Sequence, residues 1–97
     1  MQRRMLERRI REVHGRLVRA RQELAVIEEQ YSVVSDAAEE ARLRALVSET
    51  PLATHEHDEV RRHADAMARA RAALAASVAD LEHRQDELLS RVPGGPG

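Results

Sequence analysis

Ninety-seven residues with a net charge of −1 allow one small domain. Of the 42% that are apolar, sixteen are Ala, and Tyr31 is the sole aromatic, with Phe and Trp absent. No Cys means no disulfide scaffold and no thiol chemistry, and the few Gly and Pro, mostly C-terminal, exclude a turn-rich β protein.

Every cation is Arg, which together with the Ala content points to a GC-rich, bacterial genome. Met1–Ala20 holds seven Arg and no apolar run beyond two residues, so it has no secretory h-region. No stretch approaches the roughly 18 apolar residues of a membrane span. A cytoplasmic protein with no membrane partner is expected.

The first element is announced by spacing. Leu6, Ile10, Val13, Leu17, Ala20, Leu24, Ile27, Tyr31, Val34, Ala38, Ala41 and Ala45 alternate steps of four and three. That is a heptad seam, with Ile10, Leu17, Leu24, Tyr31, Ala38 and Ala45 at a, and the others at d. It predicts a helix over residues 2–47, with Gly15 at an outer f position. Ser48-Glu49-Thr50 then breaks the pattern. Thr50 before Pro51 reads as an N-cap followed by a first helical residue whose missing N–H is of no consequence there.

The second helix is predicted over 51–92. Its seam runs Val60, Ala64, Met67, Arg71, Leu74, Val78, Leu81, Gln85, Leu88, Val92, with Arg71 and Gln85 as polar a positions. Pro93-Gly-Gly-Pro-Gly97 is expected to be a disordered tail over 93–97. Seven acid-to-base pairs at i,i+4 support helix throughout: Glu7–Arg11, Glu12–Arg16, Glu40–Arg44, Asp58–Arg62, Asp65–Arg69, Asp80–Arg84 and Glu87–Arg91. Each is worth about 0.3 kcal/mol.

Two such helices joined by the turn at 48–50 predict an all-α fold, an antiparallel coiled-coil hairpin. Facing residues then have numbers with a constant sum. A turn near Glu49 gives 98, pairing Ile10 with Leu88 and Leu17 with Leu81. The alternative, 105, pairs Leu17 with Leu88 and requires a loop through Thr50–His57 with Asp58 as cap. The first register uses Leu6, Ile10 and the Thr-Pro start, and is preferred.

Ordering nearly ninety residues costs on the order of 1.5 kcal/mol each, more than one seam of small aliphatics offsets. Association into a dimeric four-helix bundle is the expected remedy. Candidate interface residues are Ala68 and Ala75 (e) and Ala70 and Ser77 (g), which widen the second seam, with Val26 and Val33 at c on the first helix.

Chemistry is sparse. His55, Glu59 and His63 share a helix face near His57, yet H-E-x-x-H is absent and three converging ligands are needed for a metal. Solvated polar residues are the simpler reading, so neither metal nor cofactor is expected. The Ser and Thr residues show no nucleophile context, and an enzyme is not expected. Charge is more telling: Met1–Arg21 holds eight Arg against Glu7 and Glu12, about +6, whereas Gln22–Glu59 holds Arg42 and Arg44 against ten acids, about −8. Arg3, Arg4, Arg8, Arg9, Arg11 and Arg16 could contact phosphates, but no aromatics interleave for base stacking. The expected function is a non-enzymatic oligomerisation or adaptor module, binding itself or another helical protein. The alternative is a small regulator that touches nucleic acid or the transcription machinery through its Arg-rich end or acidic tip.

Overall fold

The structure, a computed structural model, describes residues 2–94. Of the tail expected to be disordered, residues 95–97 lie outside the described residues. The chain is all-helical: α1 spans Gln2–Ser48, α2 spans Pro51–Ser90, and no strand occurs among the described residues. Neither helix is long and apolar enough to cross a membrane. Residues 51–57 are helical, which removes the loop that the 105 register requires.

The helices divide into two compact units. The terminal unit joins the chain up to Leu24 with the chain from Leu74 onward. Its core is Val13, Leu17, Val78, Leu81 and Leu88, against which Leu6, Ile10, Ala20 and Leu24 pack. These are seam positions on both helices, and Leu17, 0% exposed, is the most deeply buried. The polar a position Gln85 is half-buried, and its Nε2 donates to His14 Nδ1 at 3.3 Å. That bond requires the imidazole tautomer with its proton on Nε2.

The turn unit, Ala25–Ala73, contains the connection. Its seam is thinner: the buried hydrophobics are Ala41 and Ala64, while Ile27, Tyr31, Val34, Val60 and Met67 are half-buried. Arg71, at the other polar a position, is exposed and lays its guanidinium 4.6 Å over the Tyr31 ring. A cation over an aromatic face keeps its charge in water while its stem covers apolar surface.

Two capping devices make the turn. Glu49 adopts a left-handed φ of 51°, and its N–H donates to Ala45 O at 3.1 Å, satisfying a carbonyl that the helix end leaves open. Thr50 Oγ1 accepts from the Ala53 N–H at 3.2 Å, and Pro51 opens α2. At the far end, Arg91 and Val92 donate to Leu88 O and Leu89 O in i→i−3 bonds. This tightening precedes Pro93, which disfavours helical backbone in the residue before it.

Two stability predictions follow from this packing. Leu17→Ala should destabilise the chain by about 2–4 kcal/mol, while Val18→Ala, at an exposed position, should stay within about 0.5 kcal/mol; urea denaturation compares them. Glu49→Gly should stabilise it by about 0.5–1 kcal/mol, because glycine adopts the left-handed turn without a Cβ clash. A lower melting temperature for Glu49→Gly would mean that its side chain contributes more than the strain costs.

Candidate functional site

Ion pairing on these helices departs from the expected pattern. None of the seven i,i+4 acid–Arg pairs closes to within 4.0 Å among the described residues. The pairs that do form are Arg3–Glu7, Arg42–Glu39, His55–Glu59, His83–Glu87 and, between helices, Arg21–Glu82 at 3.1 Å. Exposed pairs gain little in water and lose side-chain freedom, so sequence spacing alone does not decide which ones close.

The terminal unit presents an open groove of about 420 Å³. Val13 and Leu88 contribute buried side chains to it. Its walls are Arg9, Glu12 and Arg16 from α1, and Arg84 and Glu87 from α2 with Arg91 just past its end, all exposed. The two walls share one spacing, Arg-x2-Glu-x3-Arg, at 9/12/16 and 84/87/91. The lining residues are therefore cation–carboxylate–cation on both sides. Glu87 is engaged by His83 Nε2 at 3.3 Å, whereas the four Arg make no ion pair among the described residues.

Of the six Arg singled out from sequence, Arg9 and Arg16 line this groove. Arg3 lines an adjoining cleft with Met5, Leu6, Arg9, Arg91 and Pro93. Arg4, Arg8 and Arg11 are exposed and line neither. Arg84 and Arg91 were not among the sequence candidates; the repeated spacing was the available signal. By count, the terminal unit carries ten Arg against seven acids, net +3, and the turn unit six Arg against ten acids, net −4.

The turn unit carries a surface of another kind. Val26, Glu29, Val33, Asp36, Glu40, Leu43 and Val47 repeat steps of three and four, all exposed, on c and f positions facing away from the seam. This second heptad row is aliphatic and acidic. Val33 is 70% and Val47 85% exposed. Leu46 and Leu52, beside the turn, add exposed apolar surface at 62% and 67%. Val26, Val33 and Val47 are legible in the sequence as apolar c positions outside the seam; Leu43, Leu46 and Leu52 carry only the signal that they fall off it.

Among the other candidate interface residues, Ala68 is half-buried and Ala70 exposed in the turn unit. Ala75 and Ser77 are exposed in the terminal unit. Ser77 lines a small cleft with Arg16, Asp80, Leu81 and Arg84. His57 is half-buried at a seam step: Ala53, His57 and Val60 continue the second series one turn earlier. Among the described residues no three His, Asp or Glu side chains form a metal-ligating group.

Arg42 donates to Glu39 through Nε at 3.0 Å and Nη2 at 2.6 Å. These bonds hold the Glu39 carboxyl below its ordinary value and raise the Arg42 guanidinium; loss of water contact opposes them at Glu39, and the charges of Arg42 and His57 lower it further. A depressed folded-state value means that the pair's contribution is present above the unfolded carboxyl pKa and lost as pH falls through the folded one. The Glu39 carboxyl should titrate lower by NMR than in an Arg42→Ala variant; equal midpoints would show that the bidentate contact does not persist in water. No known protein family, characterised protein or solved structure is significantly similar to the chain.

Proposed function

We propose that the protein is a non-enzymatic helical interaction module. Its helices pack antiparallel as a coiled-coil hairpin, and hairpins associate into a homodimeric four-helix bundle. The antiparallel reading is supported inside the terminal unit, where His14 meets Gln85 and Arg21 meets Glu82: as the number rises on α1 it falls on α2.

One observation carries the association. The turn unit buries two alanines while Val26, Val33, Leu43, Leu46, Val47 and Leu52 stand exposed around it. Full burial of a large aliphatic is worth about 1.5–3 kcal/mol, so this surface holds stabilisation that the seam leaves unused. A partner helix laid on it would supply the layer that the seam lacks. Val26 and Val33 would lie in the contact, while Ala68, Ala70, Ala75 and Ser77 keep the flanks of α2 smooth enough for close approach. The role that follows is holding two chains together, or holding this chain to another helical protein.

Sedimentation equilibrium over micromolar concentrations tests this. The wild type should show twice the 10.9 kDa chain mass. Val33→Asp and Ala75→Glu should each weaken association by about a hundredfold or more while far-UV dichroism stays helical, because the first replaces an aliphatic in the contact by a carboxylate and the second puts a long charged side chain on the flank that must stay smooth. A wild-type monomer at every concentration would defeat self-association, and unchanged mass in both variants would move the interface elsewhere.

A further inference from the structure

The basic groove and the acidic stripe match each other in charge, spacing and apolar content. Two walls of the groove carry Arg at its ends, seven residues apart: Arg9 and Arg16 on α1, and Arg84 on α2 with Arg91 in the turn that follows it. On α1, seven helical residues rise about 10.5 Å. On the stripe of the turn unit, Glu29 and Asp36 are also seven apart, and Val33 stands between them on the same face. A helix carrying that stripe can set one carboxylate at each cationic end. Its valine would then lie over Val13 and Leu88, the groove's apolar residues, each less than a tenth exposed.

We infer that the groove of one chain receives the Val26–Asp36 stripe of a second copy. The inference rests on the self-association proposed above and specifies its surfaces. Each copy carries both halves, so each can offer its groove and its stripe to a second copy. The groove's chemistry favours this occupant over a nucleic acid. Glu12 and Glu87 interrupt the cations, which would repel a continuous phosphate chain but oppose only uncharged side chains, Ser32 and Val33, between Glu29 and Asp36. The groove lining contains no aromatic for stacking bases.

A charge swap tests the pairing. In one variant Arg9→Glu and Arg16→Glu turn α1's wall of the groove acidic; in the other Glu29→Arg and Asp36→Arg turn the stripe basic. Each variant alone sets like charges together in both contacts, and should lose self-association by about tenfold or more. Mixed in equal amounts, they restore opposite charges in both contacts, and a heterodimer should form. Its appearance also shows that both variants fold. Two variants that each dimerise as the wild type does would overturn this docking while leaving self-association standing. Monomeric variants whose mixture stays monomeric overturn it as well. A wild type that is monomeric on its own defeats both readings, and if it also binds duplex DNA in a way lost on Arg9→Glu and Arg16→Glu, the groove belongs to a polyanion.

Discussion

A pair of helices buries only the stripe that each turns toward the other. Here that stripe must hold the fold together with one aromatic and, over much of its length, alanine. In the terminal unit the constraint is met, because Leu17, Leu81 and Leu88 are branched and long enough to interdigitate around Val13 and Val78. In the turn unit Ala41 and Ala64 allow close backbone approach but remove little area from water. Apolar area that would have stabilised that unit from inside is carried on its outside instead.

The polar seam positions show how a thin layer keeps its alignment. An arginine or glutamine at an a position costs stability, and retains value where it finds one specific partner. Gln85 finds the ring nitrogen of His14, and Arg71 finds the face of Tyr31. Sliding one helix along the other would strand both groups beside aliphatics. Alanine layers distinguish poorly between alignments, since one methyl packs much like the next, so these two contacts and the leucines carry the discrimination.

Much of the fold was legible because a 4,3 spacing has a single physical meaning. Every seam position read from sequence is buried or half-buried except Arg71, and Arg71 departs for a reason visible in Tyr31. Thr50-Pro51 marked the start of α2 because capping is local chemistry. Two kinds of feature stayed hidden. The ion pairs that close differ from those that spacing allows, since competing rotamers in water differ by less than a kcal/mol. The groove was hidden because Arg84 and Arg91 are remote in sequence from Arg9 and Arg16, and only the alignment of the helices brings them to one place. Sequence reading weighed the Arg of the first helix alone and so saw half of it.

Four guanidiniums around one groove repel each other, and in the isolated chain nothing but solvent, salt and the two glutamates moderates this. The repulsion is modest where water screens it. It grows as an occupant displaces water, unless that occupant carries carboxylates at the same spacing. An apolar floor attracts any aliphatic side chain, so it cannot choose among partners. In the proposed contact the charged walls would make that choice by penalising a helix that arrives without acids. On the proposed docking the labour would be divided: the exposed aliphatic row would supply the affinity, and charge would decide what receives it. Because binding to the folded chain alone stabilises that chain, the same contact adds to folding stability in proportion to how far partner concentration exceeds the dissociation constant. If hairpins associate as proposed, assembly and folding would be two views of one equilibrium.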